Sequence, residues 1–313
     1  REHILDAPDT YVGGIEIDNI KDWIFTGEKM ERKSFDFIPG LYKCFDEAIV
    51  NCRDHFIRQA QKKQEGEDVI LVSNIEVNID KNNGIITLIN DGDGIDVAKH
   101  PEHNIYCPEL IFANLMSSTN YDKNKKKITG GKNGFGVKLI FIYSEWGKVE
   151  TIDHRRQLKY CQEYTDNLSK INPPKITKSG KKKPYTKVSF KLDFKRFGVD
   201  GISDDIFNIL KKRTYDIAAV TDKTVKVKFN NELIPVRTFE DYINLYIGKK
   251  SDVNRVFEKQ GRWEYGVCNT TTGEFNHISF VNGVYTAKGG KHVDYLISQI
   301  IRKISAYIEK KKK

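Results

Sequence analysis

In PGLYKCFDEAIVNCRDHFI (39–57), Glu47 and Asn51 stand four residues apart, so on a helix a carboxylate and an amide project side by side. Further on, an apolar run ends in Asp91-Gly92-Asp93-Gly94. Read as a D-x-G-x-G turn, it lets the backbone approach a flat ligand through its glycines while Asp91 accepts from an exocyclic amine. A third stretch, TGGKNGFGVK (129–138), sets closely spaced glycines between lysines. Backbone N–H groups of such a loop, opening a helix, suit phosphate oxygens.

Two familiar phosphate loops do not fit the third stretch. Gly131 to Gly136 has the spacing of G-x-x-x-x-G-K-[ST], but Val137 and Lys138 occupy the Lys and Ser/Thr positions. A dinucleotide fingerprint starting at Gly134 lacks its last glycine, because position 139 is Leu.

The elements that must position these residues follow from periodicity. Leu41, Phe45, Ala48, Cys52 and Phe56 form one apolar stripe and predict a helix over 39–57, with Glu47, Asn51, Asp54 and Arg58 on the opposite side. IEVNID and IITLI, joined by KNNG, predict a hairpin that runs directly into the Asp91 turn. PELIFANLM, with Pro108 in its first turn, predicts a helix followed by a polar loop over 117–127. GVKLIFIYS predicts a short apolar helix. KVETID, LKYCQEY and TKVSFKLD read as strands, with the lysines of 175–183 in a turn between them. A helix over 203–220, strand KTVKVKF, strands RWEYGVCNT and HISFVNG, and a long helix from His292 complete the reading. The fold class is α+β, with a boundary near Gly248 dividing residues 1–248 from 249–313.

No apolar run approaches the roughly 18 residues of a membrane span, so no membrane partner is expected. Cys44, Cys52, Cys107, Cys161 and Cys268 form no C-x-x-C pair, which argues against a disulfide framework or a zinc site and favours a reducing compartment. A net charge of +9 and a pI near 9.0 favour a polyanionic partner, nucleic acid first.

Taken in order, the helix pair, the glycine turn and the glycine loop resemble the nucleotide-binding motifs of the GHKL (Bergerat) ATPase superfamily shared by DNA gyrase, a heat-shock chaperone, histidine kinases and mismatch-repair ATPases. APDTYVGG, PGLYKCFDEAIVN, SSTNYD, TGGKNGFGVKL, SFKLDFKRFG, RTYDIAA and ISFVNGVYTAKGGKHVDY further resemble consecutive blocks of the ATPase region of eukaryotic-type DNA topoisomerase II. The resemblance covers essentially the whole chain. It implies a sandwich of helices on a mostly antiparallel sheet, followed by the first part of an α/β transducer domain.

The resemblance also implies roles. Glu47 would be the general base and Asn51 the Mg²⁺ ligand. Asp91 would hold the adenine amino group, with Gly92 and Gly94 giving access and Thr186 helping through water. Ser118, Thr119 and Asn120 would lie near ribose and phosphate. Gly131, Lys132, Asn133, Gly134, Phe135, Gly136, Val137 and Lys138 would form the lid over the β- and γ-phosphates of ATP. His55, Lys132, Thr119 and Val137 stand where close relatives would carry Asn, Arg, Ser and Ala. The expected partners are double-stranded DNA, faced by Lys288 and Lys291, and a second copy of the chain joined on ATP binding. The Gln-Thr-Lys triplet of the family's transducer does not occur in this sequence. The address is nuclear by family default, or viral or host-cell for a viral source. An ATP-operated protein clamp of the chaperone or mismatch-repair kind is the alternative reading.

Overall fold

The computed structural model describes residues 1–115, 129, 136–270 and 273–312. Short helices α1 (Glu2–Asp6) and α2 (Pro8–Tyr11) lead into β1 (Asp18–Phe25) and β2 (Met30–Phe37), then the long helix α3 (Pro39–Gln64). Next come β3 (Asn74–Asp80), β4 (Ile85–Asp91), α4 (Cys107–Ala113) and α5 (Gly136–Ile142). Strands β5 (Ser144–Asp153), β6 (Leu158–Thr165), β7 (Lys170–Ile171), β8 (Lys175–Lys178) and β9 (Tyr185–Leu192) follow. Then come α6 (Asp204–Ala219), β10 (Lys226–Phe229), β11 (Glu232–Leu233) and α7 (Phe239–Ile247). The described chain closes with β12 (Arg255–Gln260), β13 (Trp263–Cys268), β14 (Phe280–Val281), β15 (Val284–Tyr285) and α8 (Lys291–Lys312).

Strict alternation in β3 and β4 turns Ile75, Val77, Ile79, Ile86 and Leu88 to one face, where all five are buried. The register pairs Val77 with Leu88 and Ile79 with Ile86, so the hairpin offers a continuous apolar surface. Leu41, Phe45, Ile49, Cys52 and Phe56 of α3, with Leu139 to Ile142 of α5, pack into the same core. The nine-stranded sheet has the order β11-β10-β3-β4-β9-β5-β6-β7, with β8 also on β6. Only β10 with β3 is parallel among the described pairings in this sheet. Its other face is charged and half-exposed, with Glu150 between Lys159 (2.8 Å) and Lys187 (3.8 Å). An antiparallel sheet that buries one face explains the clean alternation.

Several elements depart from the sequence expectation. Helix α3 runs to Gln64, past 57, because its polar continuation is made of strong helix formers. Helix α4 is shorter than predicted and ends at Ala113. Lys175–Lys178 is not a turn but a strand that pairs with β6. HISFVNG contributes only the two-residue strand Phe280–Val281. The β1–β2 hairpin is absent from the sequence expectation; Ile24 and Phe35 pack on one side against Ile209 of α6, Phe25 and Met30 join the main core from the other, and charged residues are spread over both faces. Ser203 caps α6 by accepting from the Ile206 N–H at 3.2 Å, as a Ser N-cap should. All five cysteines are free. No helix among the described residues is long and apolar enough to cross a membrane.

Candidate functional site

Helix α3 presents Glu47 and Asn51 one turn apart, as their spacing predicts. Asn51 Nδ2 donates to the Glu47 carbonyl at 2.6 Å, and its Oδ1 has no partner among the described residues. The Glu47 carboxylate is 20% exposed and pairs with Lys43 Nζ at 2.5 Å. Burial works against the Lys43 charge, but Glu47 outweighs it and holds the ammonium above the ordinary lysine range. Gly136, the first residue of α5, lies directly against this carboxylate: a Cβ there would overlap Glu47 Oε2. The start of the short helix thus meets the middle of the long one at Glu47. Two oxygen-donor side chains with a glycine cradle beside them suit a hard divalent cation.

The turn after β4 corrects the expectation for Asp91. Its Oδ1 accepts from the Ser73 and Asn74 N–H groups at 2.7 and 2.8 Å, and its Oδ2 from Ser73 Oγ at 2.5 Å. The carboxylate is thereby committed to the segment entering β3. Strand alternation gives the reason. Asn90 is buried on the face of Ile86 and Leu88 that α3 covers, and Asp91 is on the opposite one. Counted back from Gly92 and Gly94, the two-residue steps of D-x-G-x-G also begin at Asn90. Asn90 Nδ2 donates to the Asp91 carbonyl at 2.9 Å, and Oδ1 has no partner among the described residues.

Across the sheet, Asn90 is opposite Thr186 and Thr186 is opposite Thr151. The two threonine hydroxyls are 3.1 Å apart, and Thr151 Oγ1 also accepts from the Ile95 N–H at 2.9 Å. A polar row therefore crosses three strands at the rim of an apolar face. Gly92 has φ +91°, and a Cβ there would sit 2.8 Å from Val72 Cγ2; a Cβ on Gly94 would overlap the Ile152 carbonyl. Both glycines are needed for the close approach of backbone to backbone. His55, eight residues past Glu47, ties this turn to α3: its Nε2 is 2.8 Å from the Asp93 carbonyl. Burial, with Arg58 nearby, pushes its imidazolium pKa down to about 4, so the neutral ring donates through Nε2.

Gly136, Val137 and Lys138 open α5, as expected for the end of the glycine loop. Lys138 is 2% exposed, and burial lowers its pKa. Ser118, Thr119, Asn120, Gly131, Lys132, Asn133, Gly134 and Phe135 lie outside the described residues. Lys288 and Lys291 are exposed, in the turn before α8 and at its first position. The sequence reading missed Lys43, Asn90 and Thr151. Helical spacing back from Glu47 and strand parity at Asn90 carried the signal for the first two; Thr151 needed the register of β5 on β9.

A long helix bearing a carboxylate and an amide, packed on an antiparallel sheet and bonded to the glycine turn at its rim, is the arrangement of an ATPase sandwich. The comparisons agree: residues 38–196 match the family described as histidine kinase-, DNA gyrase B-, and HSP90-like ATPase, and residues 203–313 match DNA gyrase B. The whole chain aligns with DNA topoisomerase 2 of Arabidopsis thaliana at 41% identity and with that of Acanthamoeba polyphaga mimivirus at 42%. It spans 21% and 24% of the length of those relatives. The crystal structure of the ATPase region of Saccharomyces cerevisiae topoisomerase II superposes with a TM-score of 0.91 at 38% identity, over 99% of this chain and 79% of that one. The 43K ATPase domain of Thermus thermophilus gyrase B, at TM-score 0.62 and 18% identity, shares the fold. The chain belongs to the DNA topoisomerase II family, whose ATPase region it represents. Nucleotide binding is implied by that membership.

Proposed function

We propose that the chain is the ATP-operated gate of a type II DNA topoisomerase, binding and hydrolysing ATP and pairing with a second copy to enclose double-stranded DNA. The observation that carries this reading is the meeting of Gly136 with the Glu47 carboxylate, which brings a helix N-terminus and a candidate base to one point. Attack on a γ-phosphate requires an oriented water, stabilised charge and exclusion of solvent. Glu47 orients and deprotonates the water. Asn51 Oδ1, with the phosphates, would hold Mg²⁺, which neutralises phosphate charge when bound. Asn90, rather than Asp91, receives the base amine, with Thr186 and Thr151 beside it. Gly136, Val137 and Lys138, at the start of α5, lie against the phosphates. Lys288 and Lys291 face DNA, consistent with the net charge of +9. We divide the chain at Gly248, after α7, into the ATP-binding unit and the start of the transducer.

Sizing with and without Mg²⁺ and a non-hydrolysable ATP analogue tests the gate. The expected result is a shift from monomer to dimer that needs both. Tight analogue binding with an unchanged monomer would overturn it.

A further inference from the structure

Helix α3 has a second working side. Asp46 and Arg53 are seven residues apart, two turns, and so share a stripe about 100° around the helix from Glu47. Both lead to the turn between β14 and β15. Arg213 of α6, fully buried, donates from Nε to Asp46 Oδ1 at 2.6 Å and from Nη2 to the Gly283 carbonyl at 2.9 Å. Arg53 donates from Nε to the Val220 carbonyl at 2.9 Å and from Nη1 to the Asn282 carbonyl at 3.0 Å. Two guanidinium groups thus grip two consecutive carbonyls of one turn.

The turn is shaped for that grip. Asn282 and Gly283 both have positive φ, 51° and 82°, the combination a two-residue hairpin turn requires. A Cβ on Gly283 would lie 2.7 Å from Arg53 Cδ, so the glycine also lets the turn lie against the arginine stem. Beyond the hairpin the chain passes through Thr286 to Gly290 into α8. Lys212 Nζ lies over the Tyr285 ring at 4.5 Å and donates to Asp216 at 3.0 Å, fastening the strand after the turn to α6 as well.

We propose that Asp46, Arg53 and Arg213 are positioning residues that link the Glu47–Asn51 face of α3 to the β14–β15 turn. Ligand binding that shifts α3 is felt at the turn, and the state of the turn alters the ligand site by the same factor. The proposal rests on the reading of that face as a nucleotide site. Physical continuity comes from α3, which carries Glu47 and Asn51 on one side and on another Arg53, bonded to the turn directly, and Asp46, joined to it through Arg213.

The test uses the 313-residue chain, a fluorescent titration of Mg²⁺ with a non-hydrolysable ATP analogue, and amide hydrogen exchange at residues 281–285. In the wild type the analogue should slow exchange there by about fivefold or more, the lower end of ordinary coupling factors. In Arg53→Met the slowing should fall below about twofold while the analogue still binds within about tenfold of wild type. Gly283→Ala should behave alike, and Arg53→Lys should restore part of the effect; circular dichroism confirms that each variant is folded. A wild type that binds the analogue without slowing exchange at the turn overturns the link alone, as does an Arg53→Met protein that slows it fully. A wild type that fails to bind the analogue overturns the nucleotide reading and the link with it.

Discussion

Gly136 presses against Glu47 so closely that a β-carbon on the glycine would overlap the carboxylate. The contact joins residues 89 positions apart (136 minus 47) and makes one locus of the start of α5 and the exposed rim of α3. Gly136→Ala must move either the carboxylate or α5. Overpacking of this kind costs about 1–3 kcal/mol, and turnover should fall at least about tenfold because the displaced group is the one assigned to the water. A melting curve and a phosphate-release assay read the two effects; unchanged turnover would show that Glu47 is not at the reacting centre.

Glu47→Gln keeps the shape and removes the base. Phosphate release should drop by about 10²–10⁴-fold while analogue affinity stays within a few-fold of wild type. Preserved turnover would remove Glu47 from its role.

Asn90 and Asp91 are adjacent, yet their substitutions should separate cleanly. Asp91→Ala strips the acceptor from the Ser73 and Asn74 N–H groups, costing about 1–3 kcal/mol of stability with adenine-nucleotide affinity nearly unchanged. Asn90→Ala should weaken adenine-nucleotide binding about tenfold, equivalent to about 1.4 kcal/mol, with a smaller change in melting temperature. Calorimetric titration beside thermal melts distinguishes the pair, and the reverse ranking would return the base to Asp91.

His55 gives the fold an acid-side sensitivity. Its imidazolium is pushed from 6.5 to about 4 by burial, so between those values the unfolded chain takes up a proton that the folded chain refuses. Stability therefore falls as pH drops from about 6.5 toward 4, by up to about 3 kcal/mol from this group. Denaturant melts across that range should show a shallower slope in His55→Asn. An identical slope would place the dependence elsewhere.

Local pattern was enough for much of this architecture. The apolar stripe of α3, the β3–β4 alternation and the helix beginning near Ser203 were legible because each is a property of a few neighbouring residues. Asp91 misled because DG turns draw the eye to the acid, whereas face is decided by parity along β4, and parity belongs to Asn90. The β1–β2 hairpin hid because MERKSFDF mixes charged and apolar residues on both faces, and only packing shows that Phe35 meets α6 while Met30 enters the main core. The bond from Arg213 to Asp46 joins positions 167 apart, a distance over which no spacing rule operates.

Helix α3 is a graduated rod. Its residues rise about 1.5 Å each, so Glu47, Asn51 and His55 mark steps of about 6 Å, and Asp46 and Arg53 mark a second scale on another side. A single residue inserted between 47 and 51 would rotate everything beyond it by about 100°, taking Asn51 off the rim and Arg53 off the turn together. A library of variants across this helix should accept many exchanges of residue type and reject every change of length.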